Sequence, residues 1–250
     1  MIFHCLKIKD KRLWPNLTLF LSSMVLITSC SLGARPSYKV NHYTLEYPSP
    51  FLRGLSSINE LVKVEQFSVA QTFNTSAMIY KEGPNLRNVD PYNRWRTKPG
   101  EMAAEYLVRD LRNCGLFRAV ISYDDSMETR YLLEGEVDQF LEVSEKDGRK
   151  AVLGLNVTFL DLTKRNMAEK VIFQRDYQAV EPYSEKTPAA LAQGMSRAME
   201  KISRQIILDL QDAVDPVRNS SGALNPAGII IKPNPAAEQR GVISNGVKDR

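Results

Sequence analysis

Three stretches between Arg130 and Val180 alternate apolar with polar residues and are separated only by short turns, which restricts this part of the chain to an antiparallel meander. Arg130–Ser144 and Lys150–Leu162 flank Glu145-Lys146-Asp147-Gly148-Arg149, whose central Asp-Gly is a strong hairpin signal. Asp161–Ala168 is a second turn, and Glu169–Val180 is the third strand. In the middle strand Leu153, Leu155, Val157 and Phe159 point one way, Asn156 and Thr158 the other. A sheet with one apolar face is stable only if something covers that face.

Two amphipathic helices are available to cover it. Pro99 suits a first helical position, with Thr97 or Lys98 near the cap. Met102, Leu107, Leu111 and Cys114, with Tyr106 or Ala103, then keep helical spacing up to Gly115, a C-terminal cap. Thr187-Pro188 opens the second helix, in which Leu191, Met195, Ala198, Ile202, Ile206 and Leu210 recur at intervals of three and four. Shorter alternating stretches supply further strands: Val40–Tyr47, Leu61–Val69, Ala77–Lys81, Leu86–Pro91 as its hairpin partner across Gly83-Pro84-Asn85, and Phe117–Tyr123. The expected fold class is α/β, or α+β, in a single domain over 40–214, with a mixed, mostly antiparallel sheet and helices packed on it.

The two ends of the chain have another character. Leu17–Cys30 contains no charge and follows Lys7, Lys9, Lys11 and Arg12, the order of a secretory signal peptide. Its strongly apolar run is too short to span a ~30 Å hydrocarbon core comfortably. Ile27-Thr28-Ser29-Cys30 resembles the bacterial lipobox, which implies cleavage before Cys30, a diacylglycerol on its sulfur and an acyl chain on its new amine. The alternative is that Cys30 follows an ordinary signal or an N-terminal anchor helix. On the lipobox reading, 1–29 are removed, Cys30 is the lipidation site, and 30–39 form a tether. Ser31 in place of Asp after the cysteine implies export to the periplasmic face of the outer membrane. From Asp215 onward Pro216, Pro226, Pro233 and Pro235 leave Ile229–Ile231 as the one apolar cluster, and 215–250 is expected to be a flexible tail.

Charge and chemistry point away from several functions. The net charge of +4 belongs to the ends. Four of the 33 basic residues lie in the signal and five in the tail, with one and three of the 29 acids. That leaves 24 basic against 25 acidic residues over 30–214, a balance that gives nucleic-acid binding no support. His42 is the single histidine after residue 30, and Cys114 has no second cysteine to pair with once Cys30 carries lipid. No phosphate loop, metal-binding histidine pair or serine elbow is present, and no cofactor or metal is expected. Asp124-Asp125 and the alternating Glu134, Glu136 and Asp138 are the carboxylate clusters, and the alternation reads as a solvated sheet face. Tyr92, Arg94 and Trp95 occur in a turn-rich region before the first helix. Trp95 could plug the core beneath that helix, while Tyr, Arg and Trp together have the composition of a protein–protein hot spot.

Several of these pieces, taken in order, resemble the ABC-type transport auxiliary lipoproteins, a family containing outer-membrane lipoproteins that accompany MCE-type lipid transport systems. They are Cys30, Tyr43-Thr44-Leu45 ending at Pro48, Met78-Ile79-Tyr80, Tyr92-Asn93-Arg94-Trp95 with Pro99, Leu107 and Leu111, Gly115-Leu116-Phe117 with Val120, and Leu132-Leu133-Glu134-Gly135 with the strands up to Gln174. The resemblance covers about 38–212 and excludes the stretch Arg53–Asn59 and the tail. It implies a compact α/β domain without catalysis, anchored to the membrane through Cys30, that meets an MCE-domain protein and ABC transporter components. Exposed sheet edges leave room for homo-oligomers. An envelope assembly or regulatory lipoprotein that binds another membrane or cell-wall protein is the alternative, and a carboxylate-using hydrolase is the third reading.

Overall fold

The computed structural model describes residues 38–146 and 148–215, together with the backbone of Lys232–Pro233. The signal 1–29, Cys30, the tether up to residue 37, Asp147 and most of the tail 215–250 lie outside the described residues.

The meander forms as its alternation requires. Strands β7 (Tyr131–Glu145) and β8 (Gly148–Asp161) pair antiparallel from Tyr131↔Asp161 to Glu145↔Gly148. Strand β9 (Val171–Tyr183) pairs with β8 from Val171↔Leu160 to Tyr183↔Arg149. A four-residue helix α2 (Met167–Lys170), capped by Asn166, leads into β9. The other edge of β7 is shared by three parallel strands in succession: β2 (Ile58–Val64), β3 (Ser68–Val69) and β4 (Ala77–Glu82). Strand β6 (Phe117–Ser122) extends the sheet beyond β2, and β5 (Arg87–Trp95) followed by β1 (Asn41–Tyr43) extends it beyond β4. The pair Lys232–Pro233, β10, lies against β9. The result is a mixed ten-stranded sheet.

Helix α1 (Pro99–Cys114) packs on β6 and β7, and α3 (Pro188–Val214) on β8 and β9. Both caps follow the sequence. Gly115 ends α1 at φ +70°, and Thr187 Oγ1 accepts the Ala190 N–H at 3.1 Å at the start of α3. The expected stripe of α3, Leu191 to Leu210, is buried throughout. Gly194 lets the helix approach β8, because a Cβ there would lie 2.9 Å from Ala151 Cβ.

Three expectations need correction. The strand expected over Leu61–Val69 is divided into β2 and β3, because Phe67 turns into the core and its ring fills the space where Gly135 has no side chain. The strand expected over Val40–Tyr47 pairs with β5 only at 41–43. Beyond that its partners are helices: the Glu46 N–H donates to Ser196 Oγ at 2.9 Å, and the Tyr47 hydroxyl donates to Asp110 at 2.8 Å. Tyr92–Trp95 is strand rather than turn, since β5 runs to Trp95.

Buried carboxylates pin the helices in place. Asp110 on α1 is fully buried and accepts hydrogen bonds from Tyr47, Ser203 of α3 and Arg109, whose guanidinium also lies over the Tyr47 and Tyr106 rings. Asp209 on α3 accepts from Tyr177 and pairs with Arg175, both at 2.7 Å, and so ties the helix to β9. Glu142 is paired with Arg149, Ser144 and Tyr183. A buried charge with all its partners supplied locates the elements it joins, and it is expensive to break.

Candidate functional site

The residues singled out before the first helix lie on an irregular stretch of β5. Along β4 a single residue, Met78, separates Ala77↔Arg94 from Ile79↔Val89, whereas β5 inserts Asp90, Pro91, Tyr92 and Asn93 between the same pairs. An insertion of that size frees backbone groups that need new partners. Asp90 supplies them. Its Oδ1 accepts the N–H groups of Tyr92 and Asn93, both at 2.8 Å. Its Oδ2 accepts the Asn93 side-chain amide and the Tyr80 hydroxyl, both at 3.0 Å. Burial pushes the Asp90 carboxyl up, but these donors outweigh it and hold it below the ordinary carboxylate value. Asn93 in turn accepts from Tyr43 and Asn41 of β1.

This platform separates the three candidate residues. Tyr92 is 42% exposed and Arg94 is exposed. Trp95 is 2% exposed, with its ring edge-on to Phe140 at 4.9 Å between centroids and its backbone N–H donating to Ser76 O at 2.6 Å. Its assignment as a partner-binding residue is therefore corrected: the indole is core, placed there by the return of β5 toward α1. Cys30, the lipidation site, lies outside the described residues. Asp90 was not among the candidates, although an Asp before Pro, with N–H groups two and three residues on, is a signal for a side-chain-capped turn.

Among the described residues the carboxylate and thiol candidates lie apart from one another. Asp124 is exposed and accepts from Ser122 Oγ at 2.7 Å, an interaction that lowers its carboxyl. Glu134, Glu136 and Asp138 are exposed on the sheet, and burial with the neighbouring Asp176 and Glu136 charges pushes Asp138 up. Among the described residues no three His, Cys, Asp or Glu side chains converge as a metal site. Cys114 is half-buried, and burial raises its thiol, so the nucleophilic thiolate is disfavoured. One cleft lies at the β7–β8 turn beside Lys146, Arg149 and Tyr183, and another on the sheet beside Glu65, Glu134 and Glu136. Both have charged linings, unlike the apolar walls that would enclose an acyl chain. What the β5 bulge offers is an aromatic ring and a guanidinium on a rigid support.

A model of the ABC-type transport auxiliary lipoprotein component matches residues 43–207, from β1 into α3. Among solved structures, a Xanthomonas campestris protein is similar with a TM-score of 0.62 at 16% identity, over 73% of this chain and 99% of that one. An uncharacterised protein is similar with a TM-score of 0.54 at 14% identity, over 69% and 99%. At such identities the likeness concerns the fold alone. No curated protein matches the chain in sequence.

Proposed function

Since this chain belongs to the ABC-type transport auxiliary lipoprotein family, we propose that it is the lipid-anchored accessory component of an MCE-type envelope lipid transport system. It works from the periplasmic face of the outer membrane and docks to partner proteins without catalysing a reaction. The observation that carries this reading is the extent of the family match, 43–207, which takes in strands β2 to β9, α1 and most of α3. The Cys30 lipid fixes one end of the protein to the membrane. Several acyl chains at ~0.8 kcal/mol per buried methylene make that attachment stable. Anchoring raises the local concentration of the domain near an envelope-spanning partner, so that a modest interface suffices. Tyr92 and Arg94, presented by the Asp90-held bulge, are the residues assigned to that interface.

The test is fractionation of native membranes beside a Cys30→Ala variant, with mass spectrometry of the N-terminus and crosslinking to the MCE-domain protein. Acylated Cys30 in the outer membrane, crosslinked to an MCE protein, is the expected result. Acylation with a different envelope partner would replace the transport role by assembly or regulation. An unacylated, soluble mature protein would remove the proposal entirely.

A further inference from the structure

The positive charge at Arg94 continues past the end of β5. Arg94, Arg96 and Lys98 are exposed, whereas Trp95 and Pro99 are buried and Thr97 is half-buried. The chain stays extended through this stretch. The Arg96 N–H donates to Tyr43 O at 2.8 Å, which prolongs the pairing of β5 with β1, and Lys98 has φ −69° and ψ 153° before α1 begins. Alternation in an extended chain puts the three cations on one face, opposite the core, with neighbours about 7 Å apart. His42 of β1, also exposed, stands beside Arg94 in the register.

This strip has no counter-charge. The sequence holds no acid between Asp90 and Glu101, and none from Lys39 to Thr44. The Asp90 carboxylate is committed to Tyr80, Tyr92 and Asn93. Elsewhere on the domain Arg109, Arg130, Arg149, Arg175 and Arg197 each pair with a carboxylate. Among the described residues Arg94, Arg96 and Lys98 take part in no ion pair. In a domain whose charges otherwise balance, three like charges are held side by side with nothing to neutralise them.

We infer that Arg94, Arg96 and Lys98, with Tyr92, form a basic strip that docks an acidic protein surface, a row of Asp and Glu side chains on the partner. The inference rests on the docking reading above and names the chemistry of the surface that the bulge meets. Charge complementarity carries it, since apposed carboxylates would relieve the repulsion within the strip and guide the encounter.

Two features favour a protein over a lipid surface. The first is order. The pairing with β1 fixes the spacing of the strip, and a row arranged in advance lowers the cost of binding a partner of fixed shape. Fluid headgroups rearrange around any cluster of cations and gain nothing from that order. The second is residue type. Arginine and tyrosine are enriched at protein interfaces, and a guanidinium can grip a carboxylate through two hydrogen bonds.

The test is crosslinking of the full chain to the proposed MCE-domain partner, with Arg96 and Lys98 both replaced by Gln or both by Glu. Raising NaCl from about 50 to about 300 mM should lower crosslinking of the unaltered chain severalfold, a reading that needs no substitution. At low salt the Gln pair should weaken crosslinking severalfold and the Glu pair by about ten-fold or more, with the unfolding midpoint unchanged. Crosslinking insensitive to salt, or equal in the Gln and Glu pairs, would overturn the inference and leave the docking role standing. No crosslink of the unaltered chain at any salt would overturn the transport reading and this inference together. Vesicles of phosphatidylethanolamine and phosphatidylglycerol, offered to the Cys30→Ala chain, supply the second arm. Vesicle binding abolished by the Glu pair while crosslinking is unchanged would assign the strip to the membrane and overturn the inference.

Discussion

The β5 and β9 edges of the sheet face the same hazard, and they differ in how the chain deals with it. On β5 the ladder is interrupted: four residues stand against one, Pro91 has no N–H to donate, and Asp90 takes the N–H groups of Tyr92 and Asn93. β1 adds to this edge only at Asn93–Trp95, and the distorted stretch before it is a poor template for another strand. On β9 the pairing to β8 has one irregularity, near Phe159 and Leu160, and the outer edge from Arg175 on is regular enough for Lys232–Pro233 to add to it. A distorted stretch can therefore stay uncovered and display side chains, while a regular edge is open to a further strand. That difference places the candidate contact residues on β5 and the Lys232–Pro233 pair on β9.

The strongest test of the β5 side is Trp95→Ala. The indole is the last residue of the strand and lies in the core against Phe140, so its removal should cost about 3–5 kcal/mol in denaturant unfolding. A loss below about 1 kcal/mol would show that β5 is not pinned at this end. Asp90→Ala should come next, at about 1.5–3 kcal/mol, because it leaves two backbone N–H groups and the half-buried Tyr80 hydroxyl without their charged acceptor. The expected signature is faster amide exchange at Tyr92 and Asn93 while β9 is unaffected. With its carboxyl held below the ordinary value, Asp90 stabilises the fold at neutral pH. That contribution is lost as pH falls from the ordinary 3.8 through the folded value. A change spread over both edges would erase the distinction between them.

The β9 side should be sensitive to alkali. Burial first, and then the Asp209 carboxylate beside it, hold the Tyr177 phenol well above the ordinary value of 10.0. Above pH 10 the unfolded chain releases this proton while the folded chain keeps it. Stability is therefore complete below that pH and falls above it by about 1.4 kcal/mol per pH unit from this one group. Tyr177→Phe should flatten the decline in equilibrium unfolding followed between pH 9.5 and 11. An unchanged slope would mean that Tyr177 ionises in the folded protein, and that the link from α3 to β9 is looser than its geometry.

Much of the β9 side was legible in the sequence, because local patterns encode it. Alternation over 130–180 gave the meander, and Thr187-Pro188 gave the start of α3 on the correct residue. Gly115 similarly marked the end of α1. The β5 side was less legible, since its form depends on distant partners. Nothing near Glu65 announces that Phe67 will take the space left by Gly135, nor does Val40–Tyr47 reveal that Ser196 and Asp110 wait for its second half. Asp209 is not one of the apolar positions of α3, yet it is 3% exposed, since Arg175 and Tyr177 supply the partners that make its burial tolerable. Trp95 allowed a core and a contact reading, and only the course of β5 chooses between them.

Tyr92→Ala should have the smallest effect on stability, and it bears most directly on what an uncovered edge is for. Tyr92 is 42% exposed, and its backbone N–H, which alanine retains, is held by Asp90. Unfolding free energy should therefore change by no more than about 0.5 kcal/mol. Crosslinking of the full chain to the proposed MCE-domain partner should nevertheless fall severalfold, because an interface anchor can contribute about 2 kcal/mol or more to binding while adding nothing to folding. Arg94→Ala should behave in the same way. Undiminished crosslinking in both variants would leave the bulge as a device against strand pairing alone, and the docking surface would then have to lie elsewhere on the domain.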